Sequence, residues 1–240
     1  MFKYKRIGIF VGHSKLKNGT YTSANKLINE YEYNKTLGAT IKSLFDKEEQ
    51  PCDLNICPEG KFTSNKDEDN YKLPIANSGK YDLIIELHLN AFNGTANGSE
   101  ALYISNSGKV VAQRVQNKLK TVFSDREIKK RDDLYMLTKT NPVSIMIESF
   151  FCDSKIDVDK ANSLGYEGIA KLIVEGILGK DIALDNSKGQ TQMSKINIDG
   201  KVYDVETVII NDSTFVKLRD FSKAGYLVSY KQIPHIAKPK

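Results

Sequence analysis

Two strand-like runs carry ionisable groups where apolar side chains are the rule. In "YDLIIELHLN", Tyr81 to Asn90, Glu86 and His88 stand two residues apart and so project from one face of a strand. In "SIMIESFF", Ser144 to Phe151, Glu148 is set among Ile and Met in the same way. Burying a carboxylate or an imidazole is costly unless it is paired or bound to a metal. The chain has three histidines. His13 directly follows the apolar run "RIGIFVG", His88 lies near the end of its own run, and His235 sits in the C-terminal tail, where it reads as solvated. A histidine at a strand end is often structural. Two of three at strand ends also fit metal ligation, because ligands collect at the carboxyl ends of strands in α/β sheets.

A third ligand is sought in "NEYEYNKTLGATIKSLF", which offers Glu30 and Glu32. Leu37, Ile41, Leu44 and Phe45 follow the i, i+4, i+7, i+8 spacing of a buried helix face. Glu30 lies nearly two turns before Leu37 and falls on that face, whereas Glu32 is rotated by roughly 140° towards water. A helix beginning after Glu30 leaves it in a loop instead. Two histidines and one glutamate form a catalytic zinc set that keeps a fourth position for water, and such a site needs a base. Glu148 is the candidate, since desolvation raises a carboxyl pKa towards the working range; a structural salt bridge is the alternative.

Groups placed like this need strands to carry them and helices to cover them. Short Ile-, Val- and Leu-rich runs alternate with helical patterns, which predicts an α/β fold: a twisted, mostly parallel sheet flanked by helices, then a small mainly-β C-terminal module. Strands are expected at "RIGIFVG", "CDLNIC", "YDLIIELHLN", "EALYIS", "LYMLTKT" and "SIMIESFF". Helices are expected over about 25–46, over 108–123 with Val111, Val115, Leu119 and Val122 inside, and over 162–178. Residues 58–80 read as a polar excursion with a helical turn near Asp69, and "NAFNGTANGSE" as a surface loop. The domain reading is a catalytic domain over 1–179, a linker over 180–194 and a module over 195–240.

With 240 residues, 40% hydrophobic and 27% charged, the composition is that of an ordinary globular protein. The net charge of +5 favours approach to a polyanion such as an anionic cell wall. No Lys/Arg stripe with interleaved aromatics appears, which argues against specific nucleic-acid binding. Cys52, Cys57 and Cys152 leave at least one thiol unpaired and read as small apolar residues. The apolar run of the N-terminus is too short for a signal peptide, and no segment approaches the ~20 residues of a membrane span. The expectation is cytoplasmic synthesis without an export signal and no membrane partner.

"IFVGHS", "NEYEYN", "IIELHLNA", "GSEALY" and "MIESFFCD", in this order, resemble the zinc-dependent N-acetylmuramoyl-L-alanine amidases of the type 3 class, most of all the catalytic domains of clostridial phage endolysins. The resemblance covers about residues 4–179. It implies one Zn²⁺ held by His13, Glu30 and His88, with Glu148 as catalytic acid and base, and it is completed by Asn34 of an E-x-x-x-N pattern. It implies hydrolysis of the amide joining the lactyl group of N-acetylmuramic acid to the first L-Ala of the peptidoglycan stem, with substrate across the loop from Asn90 to Glu100. A host autolysin or sporulation amidase, or a wall-binding protein on an inactive amidase fold, are the alternative readings. The chain departs from the family at Ser14–Lys15, where a G-H-G-G motif is usual, and at Glu86, where a small Ser is usual. Glu86 could receive the spare ring N–H of a zinc-bound His88, or pair with a lysine of a neighbouring element.

The segment "INIDGKVYDVETVIINDSTFVKLRDFSKAGYLVSY" resembles copper amine oxidase N-terminal-like modules of bacterial surface proteins. It contains no cluster of metal-ligand types, so no copper is implied. Its expected role is wall binding or dimerisation, because Val202, Val205, Val208, Ile209, Ile210, Phe215, Val216 and Leu218 are many apolar groups for about 45 residues without a disulfide. A homodimer through this module is therefore expected.

Overall fold

The computed structural model describes residues 4–184, 188–198, 200–210, 213–216, 221, 227–230 and 234–237. It divides into two compact units, Met1–Ile182 and Ala183–Lys240.

In the first unit, strand β1 (Ile7–Val11) is buried along its whole length, as a continuous apolar run requires when both sheet faces are covered. Helix α1 (Glu30–Lys47) begins where the Asn29 side chain accepts the Glu32 amide at 3.0 Å, a capping bond that satisfies one of the free donors of the first turn. The helix thus starts some five residues later than its apolar pattern suggested, with Glu30 as its first residue. Strand β2 (Cys52–Asn55), helix α2 (Asn65–Ala76), strands β3 (Leu83–Asn90) and β4 (Ser99–Tyr103), helix α3 (Asn106–Leu119), strand β5 (Asp125–Lys130), helix α4 (Tyr135–Thr138), strand β6 (Val143–Phe151) and helix α5 (Lys155–Leu178) follow.

The strands form one sheet in the order β2-β1-β3-β6-β4-β5. All neighbours pair in parallel except β4 against β6, so β4 and β5 run opposite to the other four. Adjacent residues of a strand point to opposite faces, which sorts the layers. Helix α1 lies over one face, where Gly38 approaches Val11, Leu54 and Leu87. Helices α2 and α4 cover the other, where Ala76 and Met136 pack on Phe10, Tyr81 and Ile84, and Leu137 packs on Leu102 and Met146. Glu86 and His88 continue the Ile84 side of β3 and so share this second face.

Several elements differ from the sequence reading. "LYMLTKT" was expected as a strand, yet it forms the single turn of α4, burying Met136 and Leu137. The sheet's last strand is instead β5, a polar edge with alternating exposed and half-buried residues and no apolar run to announce it. Helix α3 ends at Leu119, leaving Val122 outside it and only half-buried. Helix α5 starts at Lys155 and is broken at Gly165, whose φ of 70° and ψ of 173° lie outside the helical region. Cys52, Cys57 and Cys152 are free and buried, and burial pushes their thiols up to about 11, 12 and 12.

In the second unit, β7 (Lys188–Ile198), β8 (Lys201–Ile210) and β9 (Ser213–Val216) form an antiparallel sheet, and β10 (Leu227–Tyr230) pairs with β11 (Pro234–Ala237). Strand β7 occupies part of the stretch read as a linker, because its ladder with β8 extends back to Lys188. Val205 is buried at 1% exposure, while Val202 stands 61% exposed. Leu218 lies outside the described residues, as does "RDFSKAGY" apart from Phe221. His235 falls in β11.

Candidate active site

His13 leaves β1 in the left-handed backbone region, with a φ of 67°. A side-chain-bearing residue pays roughly 1–3 kcal/mol for such a conformation, which persists only where the surroundings enforce it. The turn brings His13 Nε2 to 3.1 Å from Glu30 Oε1. His88 Nδ1 lies 3.0 Å from the same oxygen. The Leu89 amide donates to Glu30 Oε1 at 3.0 Å and the Ala24 amide to Oε2 at 3.1 Å, which fixes the carboxylate's direction. The two imidazole rings stand nearly perpendicular, their centres 4.8 Å apart.

Gly12 makes this approach feasible: a Cβ there would lie 2.3 Å from the His88 ring. Glu32, two residues along α1, turns outward to Tyr21 and Lys35, the side that helix phase assigned to it. Burial alone raises the Glu30 carboxyl, but hydrogen bonds and charge from both imidazoles outweigh burial and hold it well below the usual range. His13, Glu30 and His88 thus offer three ligand atoms within 4.8 Å of one another. Two imidazole nitrogens from half-buried histidines and one buried carboxylate oxygen converge, and fit a zinc ion by the chemistry of the donor set.

Glu148 lies beside this group. Across the parallel ladder its Cα partner is His88, and across the antiparallel ladder it is Glu100. Its Oε2 is buried with no hydrogen-bond partner among the described residues. Burial pushes its carboxyl up to about 7; His88 opposes the rise, while Glu30, Glu100 and Glu86 add to it. A free carboxyl with that pKa is suited to taking and returning a proton near neutrality.

Glu86 pairs with a lysine of a neighbouring element, one of the two readings open for it, and stands close to His88 without a hydrogen bond to it. Lys72 Nζ donates to its Oε1 at 2.6 Å, and its Oε2 lies 3.6 Å from His88 Nε2. Burial alone raises the Glu86 carboxyl, but the Lys72 charge and His88 outweigh it and hold it well below the ordinary range. Glu100 is 6% exposed and accepts Asn90 Nδ2 at 3.1 Å and Arg126 Nε at 3.1 Å, with Lys129 as a further partner. Asn90 and Glu100 therefore tie β3 to β4 rather than reaching into the loop between them.

That loop is pinned elsewhere: Asp153 Oδ2 accepts the amides of Phe92 and Gly94, and Asp157 Oδ2 accepts that of Gly98. Phe92 is left 78% exposed in that loop. Sequence reasoning missed Thr22, Glu68 and Lys72, which stand around the two histidines. The last two had one signal, their four-residue spacing within an otherwise polar stretch. A cavity of about 150 Å³ opens between α2, α4 and the histidines, lined by His13, Glu68, Lys72, Glu86, His88 and Tyr135 among others.

Comparison with known proteins gives a consistent picture. The family described as N-acetylmuramoyl-L-alanine amidase matches residues 7–179. Among solved structures, the catalytic domain of the CD27L endolysin targeting Clostridia difficile is 53% identical, with a TM-score of 0.73, covering 75% of this chain and 99% of that one. An uncharacterized 38.4 kDa protein of Clostridium perfringens is 31% identical over 194 residues, 75% of this chain and 54% of its own length. An uncharacterized cell wall amidase of Bacillus anthracis is 29% identical over 119 residues, 45% of this chain and 22% of its own. The chain thus spans about half or less of the length of these two relatives.

Proposed function

The chain belongs to the N-acetylmuramoyl-L-alanine amidase family, and from that premise we propose that it is an endolysin-type peptidoglycan hydrolase that uses one zinc ion. It cleaves the amide between N-acetylmuramic acid and the L-Ala of the stem peptide. The observation that carries this reading is the convergence of His13, Glu30 and His88 beside a carboxyl held near neutrality. His13, Glu30 and His88 would hold the ion. When bound, zinc polarises a carbonyl and acidifies a water. Glu148 takes the proton of the attacking water on its unpartnered Oε2 and later delivers it to the leaving L-Ala nitrogen. The Leu89 and Ala24 amides keep Glu30 facing the two histidines throughout.

Among the described residues no helix is long and apolar enough to cross a membrane, and the substrate is the wall itself. The similarity to an endolysin supports a phage origin and a clostridial target. For the second unit we propose attachment to the wall, with pairing of two copies adding avidity for a repetitive polymer. Light scattering on that isolated unit tests the pairing, and a strictly monomeric, folded unit rejects it. Digestion of purified clostridial wall tests the activity: free N-terminal L-Ala appears while reducing sugar does not. Release of reducing sugar instead would reassign the enzyme to the glycan strand.

A further inference from the structure

One face of α2, a segment read in the sequence as a polar excursion with a helical turn near Asp69, backs both histidines. Glu68 and Lys72 stand four residues apart and so lie one turn apart on that face; they are 3% and 5% exposed. Glu68 Oε1 accepts the hydroxyls of Ser14 at 2.7 Å and Thr22 at 2.6 Å. The single Thr22 hydroxyl proton goes to this charged acceptor, since the Ser14 carbonyl is farther, at 3.4 Å. The Thr22 oxygen is then an acceptor. It receives the Ser14 amide at 3.0 Å and faces His13 Nδ1 at 3.5 Å. A proton on Nδ1 leaves Nε2, the nitrogen directed at Glu30, free to bind a metal.

Lys72 builds the same arrangement for the second histidine. Its Nζ donates to Glu86 Oε1 at 2.6 Å, and Glu86 Oε2 stands 3.6 Å from His88 Nε2, the side of the ring away from Glu30. Both Glu86 Oε2 and His88 Nε2 are buried with no hydrogen-bond partner among the described residues, and they face each other just beyond hydrogen-bond reach. Each chain of contacts therefore runs from a charged residue of α2, through one intermediary, to the outer nitrogen of a histidine.

We propose that Glu68 and Lys72 are positioning residues, fixing the tautomer and ring direction of His13 through Thr22 and of His88 through Glu86. The proposal rests on the reading of His13, Glu30 and His88 as metal ligands. It also accounts for Ser14 at a position where the family usually has Gly: the hydroxyl fills the second site on the Glu68 oxygen.

The test compares Thr22→Val with Thr22→Ser in the full chain, stripped of metal and titrated with zinc against a competing chelator. Val removes only the hydroxyl, whereas Ser restores it. Thr22→Val is expected to bind zinc about 10–100-fold more weakly, with shifted visible bands after cobalt loading, while Thr22→Ser stays close to wild type. The metal-free Thr22→Val chain should melt somewhat lower, because the buried Ser14 amide loses its acceptor, so the cobalt bands, which report the ligands' geometry, separate positioning from stability. Lys72→Met alone strands a buried carboxylate and endangers folding, so its half is tested as Lys72→Met/Glu86→Gln, in which both charges are removed. That variant is expected to fold and to lose zinc affinity similarly.

Wild-type affinity and cobalt spectrum in Thr22→Val would overturn the Glu68 half, and the same result in the double variant the Lys72 half. Loss of zinc affinity with cobalt bands unshifted from wild type also overturns it, since it assigns the groups to the fold alone. A wild-type chain that takes up neither ion overturns the ligand reading, and this proposal with it.

Discussion

At the scale of single residues, the site combines groups that would each be unfavourable alone. A left-handed His13 and a buried Glu30 hold each other in place, with His88 on the same Glu30 oxygen, while the Glu148 carboxyl beside them is held by its strand. His88→Ala should lose zinc and lysis together, since two protein ligands are too few for tight zinc binding; full metal occupancy in that variant would send the ligand search elsewhere. Glu148→Gln should retain zinc while lysis falls about 10²–10⁴-fold, the usual worth of a general acid–base group. Because Glu148 is needed as the carboxylate and titrates near 7, kcat/KM should fall as pH drops through that region, with a bound cation moving the limb to lower pH.

The same shift has a stability consequence of fixed sign. With a folded pKa of about 7 against an ordinary 4.5, the folded state binds the proton more tightly. That contribution is complete below 4.5 and is lost as pH rises through 7. Glu148→Gln should therefore raise the melting temperature of the metal-free protein above pH 7 and leave it little changed in acid. Calorimetry at the two pH values decides this.

At the scale of elements, the site is made where the first turn of α1 meets the carboxyl ends of β1 and β3. Asn29 caps that turn, and Glu30 is its first residue, so helix stability and ligand position are coupled. Asn29→Ala should cost about 1 kcal/mol and weaken zinc measurably, as read by denaturant titration alongside metal competition; unchanged zinc affinity would show that the tertiary bonds to Glu30 suffice. Glu86→Ala should weaken zinc by about 10–100-fold. Unchanged affinity would leave Glu86 as a partner of Lys72 only. Gly12, at the end of β1, admits no side chain: in Gly12→Ala the added methyl displaces the His88 ring, so metal affinity should fall.

At the scale of the whole molecule, the first unit carries its own two-faced core, and its boundary at Ile182 lies beyond the end of α5. Ile182 is 5% exposed and its amide donates to Glu175 Oε1 at 3.0 Å, while Asp181 pairs with Lys118. A chain ending at Ile182 should fold and bind zinc, whereas one ending at Gly179 loses the Ile182 plug and about 2 kcal/mol. Equal melting temperatures would show the plug to be dispensable. What the amino-acid sequence determined by itself was local in origin. Period-two spacing put Glu86 and His88 on one strand face. Helix phase chose the inward Glu30 over Glu32. The apolar runs of β1, β3 and β6 declared a buried sheet. Tertiary structure alone decided the rest. The edge strand β5 has no apolar run because an edge buries little, and "LYMLTKT" could satisfy its two buried residues as strand or as helical turn. Glu86 found its cation on α2, laid across the sheet. Spacing along a chain states which side of an element avoids water; only the packing of one element on another states what that side meets.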